Sequence, residues 1–475
     1  MFTLEDVLQG CDGKLQFHTT QTLNPSLTFP AAHHDSRKIE KGDLFIAIKG
    51  EQVDGHRFIP AVAQAGAGAV LCTEPASEVS EEFVQIVVPD VVEALHRIAH
   101  TRVLRQKNTT LIGITGSNGK TSTKEAVAAM LERKVPTLKT FASYNNEIGY
   151  PLTLLRLEPQ HRYAVLEMGA QWVGELAWLS NTIARPNWSL ITNVGAAHLE
   201  YFGSQEQVVI AKSELVQVLT PQGIAILNYD DTNVRDMSKK TEAQVLYFGL
   251  GEGADVRGSD IGGDTLLGRH FTLHYADQQV SVQLHMPGEH GVTIALAAAA
   301  VGCAAGLSLD EICYALEALS PAKGRGEIKK GPNDSILIDD TYNANRQSIV
   351  AIVHAMKNAH LAAHAKRWVV LGDIFELGLY ARSEHRASGE ALYGSVDYLV
   401  AIGDEARFYV EGAIRAGMPA EHIYHFNADV DNGPELEAAK RAAVDLLKQE
   451  VHKDDLLLIK GSRGMRMETM LDMLT

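Results

Sequence analysis

The sequence predicts an α/β protein of three domains, in which mainly parallel sheets carry helices on their faces. First, its 475 residues are enough for about three domains of ordinary size. Second, short apolar runs alternate with helical patterns along almost the whole chain, as in repeated β-α units. Third, a Ser-Pro-Ala-Lys-Gly segment at 320–324 separates two such series and is typical of a linker.

Residues 1–89 are predicted to form a small N-terminal α/β domain. Short runs rich in β-branched and other apolar residues indicate strands at 44–48, 69–73 and 84–88. A helical pattern at 58–66 lies between the first two of these strands.

A helix at 91–106 leads into the predicted middle domain, residues 90–321. Buried strands separated by long helical patterns indicate a largely parallel sheet. These strands are expected at 111–115, 164–168, 188–194, 224–228 and 245–249. The glycine-rich residues 251–268 are interpreted as a loop, and the alternation of polar and apolar residues over 271–286 predicts a hairpin with one face in solvent.

Residues 322–475 repeat the alternation of strands and helices. The pattern is doubly wound and Rossmann-like in outline. Its strands are expected at 335–338, 368–372, 398–403, 422–426 and 456–460.

Composition excludes several classes of protein. The chain carries 59 acidic against 43 basic residues and has no basic stripe, which argues against nucleic-acid binding. The longest apolar run, 292–307, is shorter than the roughly 20 residues of a membrane span and predicts a buried helix instead. Residues 1–10 include two carboxylates and no apolar stretch, so we expect no signal peptide. The sequence thus predicts a cytoplasmic protein without membrane insertion.

The cysteines give no sign of a metal site or a disulfide framework. They form no Cys-x-x-Cys pair and no Cys/His cluster with zinc-like spacing. We therefore expect reduced and mostly buried thiols at Cys11, Cys72, Cys303 and Cys313.

The strongest chemical signal is the Gly-Ile-Thr-Gly-Ser-Asn-Gly-Lys-Thr segment at 113–121. It follows a predicted strand and opens a predicted helix at 121–133, which is the context of a phosphate-binding loop. Gly116 and Gly119 let backbone N–H groups turn towards phosphate oxygens. Lys120 can neutralise the β- and γ-phosphates, and the Thr121 hydroxyl can ligate Mg²⁺. The first glycine of the general pattern is replaced by Ile114, and a ligand-free glycine-rich turn is the alternative.

Several further blocks narrow the interpretation. They are Tyr-Asn-Asn-Glu-Ile-Gly at 144–149, Leu-Glu-Met-Gly at 166–169, Asn-Val-Gly-Ala-Ala-His at 193–198 and Met-Pro-Gly-Glu-His at 286–290. Together with the loop at 115–121, they resemble the Mur ligase family. That resemblance implies a precursor-binding domain, a P-loop ATPase domain and a C-terminal Rossmann-like domain.

A second set of blocks resembles the branch of that family that adds D-alanyl-D-alanine. These are Asp-Ser-Arg at 35–37, Gly-Asp-Leu-Phe at 42–45, Asp-Gly-His at 54–56, Asp-Thr-Tyr-Asn-Ala-Asn at 340–345, Leu-Gly-Asp-Ile-Phe-Glu-Leu-Gly at 371–378 and Lys-Gly-Ser-Arg at 460–463. The Asp-Asn-Pro-Arg block of the diaminopimelate-adding relatives is absent from the sequence. The resemblance implies a monomer that uses ATP and Mg²⁺ to join D-Ala-D-Ala to a UDP-N-acetylmuramoyl tripeptide through an acyl phosphate.

The resemblance also implies the roles of individual residues. Catalysis and metal binding fall to Lys120, Thr121, Glu167, His198 and Lys212, the last as a carbamate. For the last three, the alternatives are a solvated carboxylate, a loop histidine and an exposed helix lysine. ATP binding falls to Thr115, Gly116, Ser117, Asn118, Gly119, Lys120, Thr121, Asn228, His290, Arg325, Asp340, Tyr342 and Asn345. Ordinary turn residues at strand ends are the alternative for Asn228, Tyr342 and Asn345.

Binding of the precursor and the dipeptide is implied for a third set. Ser36, Arg37, Asp54 and His56 would face the uridine diphosphate, Asn145 and Asn146 the peptide arm, and Lys460, Ser462 and Arg463 the dipeptide carboxylate. An arginine suits a diphosphate, although a surface salt bridge is the alternative for Arg37.

The chain departs from the family pattern in two places. His290-Gly-Val-Thr-Ile294 stands where the family has His-Asn-x-x-Asn, and Arg346 stands where it has proline. Gly291 and Ile294 offer no side-chain amide to a base. We therefore expect adenine to be held by backbone groups or His290, and base selectivity to be loose.

Three other functions fit part of the pattern, and the first is another Mur-type amino-acid ligase. A folylpolyglutamate synthetase would share the ATPase architecture, but the domain ahead of the phosphate loop and the lack of a folate-type pattern argue against it. A module that binds ATP without ligating anything is the alternative from a different class.

Overall fold

The computed structural model describes residues 1–50, 53–141, 143–195, 202–266 and 268–474. The fold is α/β, with three parallel-rich sheets that succeed one another along the chain. The predicted fold class is therefore confirmed.

The first sheet lies in the N-terminal part of the chain. Its strands are β2 (Gln16–His18), β4 (Ala32–His33), β5 (Leu44–Ile46), β6 (Ala69–Cys72) and β7 (Gln85–Val87), in the order β2-β7-β6-β5-β4. A separate antiparallel pair joins β1 (Phe2–Thr3) to β3 (Thr28–Phe29). The helices are α1 (Leu4–Cys11), α2 (Ile59–Gln64) and α3 (Val91–Arg105). The strands predicted here and the helices at 58–66 and 91–106 are confirmed to within three residues at each end.

The second sheet has nine strands and forms the centre of the molecule. The strands are β8 (Thr110–Thr115), β9 (Thr137–Lys139), β10 (Tyr163–Glu167), β11 (Trp188–Ile191), β12 (Ile224–Asn228), β13 (Gln244–Gly249), β14 (Val256–Asp264), β15 (Gly268–Tyr275) and β16 (Gln278–Leu284). Their order is β16-β15-β14-β13-β12-β11-β8-β10-β9, parallel from β9 to β14. The helices are α4 (Lys120–Glu132), α5 (Gly149–Leu154), α6 (Glu175–Thr182), α7 (Gln205–Gln217), α8 (Thr232–Arg235), α9 (Gly288–Ala304) and α10 (Leu309–Glu317).

The prediction of a loop over residues 251–268 is wrong, because nine of these residues form β14. Its glycines serve close contact rather than a turn. A Cβ on Gly262 would lie 2.4 Å from the His270 ring on β15, and one on Gly258 would lie 3.1 Å from Leu296. The register also shifts between Ser259 and Gly262, as at a β-bulge. The hairpin predicted over 271–286 is confirmed as β15 and β16, which extend the central sheet.

The third sheet lies in the C-terminal part of the chain. Its strands are β17 (Glu327–Lys330), β18 (Ile336–Asp340), β19 (Arg367–Gly372), β20 (Tyr398–Ile402), β21 (Ile423–Phe426) and β22 (Leu456–Lys460). They follow the order β17-β18-β22-β19-β20-β21, and only β17 pairs antiparallel. The helices are α11 (Arg346–Lys357), α12 (Ala381–Glu390), α13 (Arg407–Ala416), α14 (Gly433–Glu450) and α15 (Glu468–Leu474). Apart from β17, these strands match the prediction.

The alanine-rich helix α9 is buried, as its sequence predicts. Residues 295–301 are at most 1% exposed, and the helix packs beside α4 against the central sheet. Small side chains allow this close approach of helix to sheet. None of the helices in the described parts of the chain is both long enough and apolar enough to cross a bilayer.

The β14–β15 turn links the second sheet to the C-terminal part of the chain. Leu266 is 4% exposed and belongs to the same apolar core as Ile349, Val353 and Met356. The Thr265 hydroxyl donates a 2.6 Å hydrogen bond to the carbonyl of Ala355 on α11. This turn therefore anchors α11, whose N-terminus carries residues of the site described below.

A buried ion pair joins the first helix to α3. Asp6, fully buried, accepts hydrogen bonds from Arg105 at 2.6 Å and from Arg102 at 3.5 Å. Arg102 also donates to the carbonyls of Leu157 and Met1. These contacts fasten the N-terminal segment to α3, and α3 to the segment that follows α5.

We expect Asp6→Ala to lower the free energy of unfolding by about 3–5 kcal/mol, because the buried Arg102 loses its counter-ion. Urea denaturation followed by circular dichroism measures the loss. Glu5 is the matched control, since it is exposed and contacts Arg105 at 3.3 Å. Glu5→Ala should cost less than about 1 kcal/mol. Equal effects of the two substitutions would contradict this account of the pair.

Candidate active site

A glycine-rich loop joins β8 to α4 at the carboxyl edge of the central sheet. Gly116 has φ 148° and Gly119, the N-cap of α4, has φ 78°, both in the region that favours glycine. A Cβ on Gly116 would lie 2.0 Å from the Thr192 hydroxyl. Only glycine fits at position 116. The helix α4 begins directly after Gly119, with its free N–H groups turned towards the cavity.

The neighbouring strand holds this loop in place. The Ser117 N–H donates to the Asn193 carbonyl at 2.9 Å, and the Asn118 N–H donates to the Asn193 side chain at 2.9 Å. The Ser117 hydroxyl also donates to the Gly195 carbonyl and accepts from the Gly195 N–H. Thr115 is fully buried in the strand below, so it supports the loop and does not line the cavity. These bonds fix the conformation of the loop.

Lys120 places its ammonium group inside the loop. Its Nζ donates to the carbonyls of Gly116 at 2.7 Å and Ser117 at 3.2 Å. Burial lowers the pKa of Lys120, Glu167 and Glu376 act to raise it, and Arg325 acts to lower it. The group is therefore a desolvated cation within the influence of three other charges.

Glu167 ends β10 beside the loop. Its carboxylate accepts from the Thr121 hydroxyl at 2.8 Å and from the Asn145 amide at 2.8 Å, and Lys124 lies 4.0 Å away. Glu167 is 1% exposed, which rules out the alternative of a solvated carboxylate. A hydroxyl and a carboxylate are ligands that suit a hard divalent cation.

Other predicted metal ligands are placed as follows. His198 lies outside the described residues. Among the residues described, no group of three or more His, Cys, Asp or Glu side chains gathers at one point. Lys212 on α7 is 1% exposed and lines the same cavity as Thr121 and Glu167.

Lys212 is a buried lysine whose pKa is lowered. Burial, and then the charge of Lys120, lowers its pKa to about 7, against the opposing effects of Glu175 and Glu214. Those carboxylates are occupied by backbone N–H groups: Glu214 accepts from Gly174 and Ala177, and Glu175 accepts from Gln171. The alternative of an exposed helix lysine is therefore wrong, and burial favours the neutral form of the amine.

Two side chains of α11 close over the loop from the C-terminal part of the chain. Asn345 Nδ2 donates to Asn118 Oδ1 at 2.5 Å, and Asn118 Nδ2 donates to Gln347 Oε1 at 2.7 Å. The Tyr342 hydroxyl bonds to Ser143. Gln347 was not singled out from the sequence, since a glutamine in the first turn of a helix carries no distinguishing pattern.

Tyr342 also orders two cations. The guanidinium of Arg325 lies 4.1 Å from the centroid of its ring, and that of Arg463 lies 5.5 Å from it. Lys460 is 2% exposed and donates to Asp340 at 2.6 Å and to the Asn343 carbonyl at 2.8 Å. Lys460 thus holds Asp340, and both residues line the cavity together with the two arginines.

The cavity has a volume of about 1070 Å³ and extends from the loop towards α9 and α11. Its far end is largely apolar, lined by Phe248, Met286, Ile294, Ala297 and Ile352. His290 also lines it. Asn228 donates to the Thr192 carbonyl at 2.8 Å and accepts from the Asp230 N–H at 3.0 Å, so its side chain maintains a turn.

The predicted precursor residues divide into two sets. Asn145 and Asn146 line the cavity, and Asn146 also accepts the Gly149 N–H at the start of α5. Ser36, Arg37, Asp54 and His56 do not line it. The Arg37 side chain is 86% exposed and pairs with Asp35, whose pKa is lowered to about 2 chiefly by that bond. His56 bridges Asp54 at 2.7 Å and the Thr73 N–H at 3.0 Å, and so braces the local fold.

Comparison with known proteins agrees with this arrangement. Residues 32–103 match the model for the Mur ligase family catalytic domain, 114–302 the Mur ligase middle domain, and 324–463 the Mur ligase glutamate ligase domain. The UDP-N-acetylmuramoyl-tripeptide–D-alanyl-D-alanine ligase of Escherichia coli K12 is 34% identical over 471 residues, covering 98% of this chain and 96% of that relative.

Solved structures give the same result. A crystal structure of MurF from Acinetobacter baumannii aligns with a TM-score of 0.84 at 33% identity, over 100% of this chain and 98% of that one. MurF from Thermotoga maritima in complex with ADP aligns with a TM-score of 0.77 at 27% identity, over 95% and 98% of the two chains. From its loop, its sheets and these likenesses, the chain belongs to the Mur ligase family.

Proposed function

We propose that this chain is an ATP-dependent ligase that joins D-alanyl-D-alanine to the terminal carboxyl group of a UDP-N-acetylmuramoyl tripeptide. One observation carries the proposal: Lys120, Arg325 and Arg463 line a single cavity with the phosphate loop. The Escherichia coli relative, which is alike along nearly the whole chain, is named for this reaction. The product would serve peptidoglycan synthesis in the cytoplasm.

The nucleotide is ATP in this proposal. The Thermotoga relative holds ADP, and the loop at 115–121 offers the same kind of cradle for phosphates. Lys120 would neutralise the β- and γ-phosphates, and Arg325 would approach them from the C-terminal part of the chain. The base would occupy the apolar end of the cavity.

Magnesium is the proposed metal. The hydroxyl of Thr121 and the carboxylate of Glu167 fit its preference for oxygen ligands, and a carbamate on Lys212 would add another anionic oxygen. His198 remains a predicted ligand by resemblance. A bound Mg²⁺ neutralises negative charge on the transferring phosphoryl group.

The first chemical step brings two anions together. The terminal carboxylate of the tripeptide attacks the γ-phosphorus of ATP, an oxygen–phosphorus bond forms, and ADP leaves with the electron pair of the broken bond. Lys120 and Arg325 stabilise the charge on the transferring group, and the low dielectric of the closed cavity strengthens that attraction.

The second step is attack by the dipeptide amine on the acyl phosphate, which releases phosphate and forms the amide. Water must be kept from the acyl phosphate. The bonds from Asn118 to Asn345 and Gln347, and from Ser143 to Tyr342, join the two sides of the cavity and would help to keep water out.

Each of the three predicted segments is assigned its own binding task. Residues 1–89 would bind the precursor, 90–321 would bind and cleave ATP, and 322–475 would bind the dipeptide in a monomeric enzyme. Arg463 suits the dipeptide carboxylate, and Ser462 holds its loop by accepting the Phe375 N–H at 2.8 Å. The exposed Arg37 is free to reach a diphosphate by exchanging its partner Asp35.

We expect UDP-N-acetylmuramoyl tripeptide, D-Ala-D-Ala and MgATP together to give a product heavier than the tripeptide by one dipeptide less water. ADP should form in equal amount. Mass spectrometry with single omissions is the measurement, and L-Ala-L-Ala is the control amine. ADP release that ignores both the tripeptide and the dipeptide would leave only an ATP-binding module, and this proposal would be wrong.

We expect Lys212→Ala to reduce ligation by about 100-fold, since the site loses an anionic ligand if the lysine is carbamylated. Acetate or propionate should restore part of the rate by supplying a carboxylate in the space left by the side chain. Lys240→Ala is the control, because Lys240 bonds to Ser213, the neighbour of Lys212 in the sequence. Neither acid should change the rate of this variant. A fully active Lys212→Ala enzyme would refute the carbamate.

We expect GTP to support ligation with a kcat/KM no more than about 100-fold below that of ATP, because an apolar pocket discriminates weakly between bases. Ile294→Asn, which supplies an amide at the apolar end, should increase the preference for ATP. Steady-state kinetics with both nucleotides tests this. A larger preference for ATP in the parent enzyme would refute the expectation of loose base selectivity.

A further inference from the structure

Glu376 is a carboxylate in the active-site cavity to which the reaction so far assigns no task. It follows β19 in the loop 373–378 and lines the cavity together with Lys120 and Arg463. Its φ of 62° lies in the left-handed region, where glycine fits without steric cost. A glutamate kept in such a conformation at a cavity wall indicates a use for its side chain.

Hydrogen bonds around Glu376 hold its loop in place. The Ile374 N–H donates to His385 Nε2 at 2.9 Å, and the Phe375 N–H donates to Ser462 Oγ at 2.8 Å. The Ser462 N–H in turn donates to the Asp373 carbonyl at 3.1 Å. The loop is therefore fixed before any substrate arrives.

The same contacts couple Glu376 to Arg463. Ser462 precedes Arg463, and a Cβ on Gly464 would lie 2.4 Å from the Phe375 ring, so the two loops touch on both sides of Arg463. The pair of loops thus lines the same cavity with one carboxylate and one guanidinium, the latter also bonded to Glu468 at 3.0 Å. A dipeptide at neutral pH carries the complementary charges, an ammonium at one end and a carboxylate at the other.

Charge complementarity decides which end goes where. An ammonium group pairs with a carboxylate and a carboxylate pairs with a guanidinium, and Glu376 lines one cavity with Lys120 and the phosphate loop. The dipeptide's nitrogen must reach the acyl phosphate formed there. The ammonium end therefore belongs to Glu376 and the carboxylate end to Arg463.

We propose that Glu376 receives the ammonium group of the incoming dipeptide and takes the proton that must leave before the nitrogen can attack. This inference rests on the proposed ligation and adds a catalytic residue to it.

The step balances as follows. The ammonium gives one proton to Glu376, and the nitrogen lone pair forms a bond to the carbonyl carbon. The carbon–oxygen bond to phosphate breaks, and phosphate leaves with the electron pair. The second proton goes from nitrogen to the departing phosphate. Glu376, which is exposed to the cavity, returns its proton to water.

Two substitutions test this role. Glu376→Gln keeps the size of the side chain and removes its charge. Glu376→Gly removes the side chain and favours the observed backbone, so loss of activity in this variant cannot be assigned to a strained or unfolded loop. Glu411→Gln, a surface carboxylate paired with Arg382 and Arg386, is the control and should behave as the parent.

Each enzyme is assayed with two nucleophiles. With D-Ala-D-Ala, both Glu376 variants should lose about 100-fold or more in kcat/KM. With hydroxylamine in place of the dipeptide, they should form the hydroxamate from the acyl phosphate at the parent rate, because hydroxylamine is already neutral.

Ligation by Glu376→Gln at the parent rate, or loss of hydroxamate in parallel with loss of ligation, would overturn the inference. A parent enzyme that makes hydroxamate but never joins D-Ala-D-Ala contradicts the proposed acceptor itself. A different result is a parent enzyme that joins D-Ala-D-Ala and a Glu376→Gln variant that does so equally well. That result contradicts only the role of Glu376.

Discussion

The site depends on the hydrogen bonds between the ammonium group of Lys120 and the carbonyl groups of the phosphate loop. The reaction requires two anions to meet, in a protein whose net charge is −16. Positive charge must therefore be concentrated locally, and the fold does this with a fixed loop, the first turn of α4 and one lysine bound to the loop's own carbonyls. Gly116 has to be glycine because Thr192 occupies the space of a side chain.

The rest of the site is built around that centre by residues distant in sequence. Asn118 of the loop bonds to both Asn345 and Gln347, so the C-terminal part of the chain is in direct contact with the loop. Tyr342 lies between Arg325 and Arg463, with its hydroxyl on Ser143. Side chains from distant parts of the sequence are in this way joined around one cavity.

Much of this could be predicted from sequence, because strands buried in parallel sheets and a loop ahead of a helix leave local patterns. The glycine-rich residues 251–268 show where such reasoning fails. In a sequence, glycines that permit close contact between strands cannot be distinguished from glycines in a turn. The burial of Lys212 and the task of Lys460, which holds Asp340, depend on distant packing. Arg346, which replaces a proline, pairs with Glu384 of α12 at 3.0 Å, a contact no local pattern reveals.

The most direct test of the account is substitution of Lys120 by alanine, compared with Lys134→Ala, whose half-exposed side chain pairs with Glu311 on the surface. ADP release and amide product are measured together at saturating tripeptide, dipeptide and MgATP. The account predicts that Lys134→Ala performs as the parent and that Lys120→Ala yields neither ADP nor amide. Undiminished product from Lys120→Ala would contradict it.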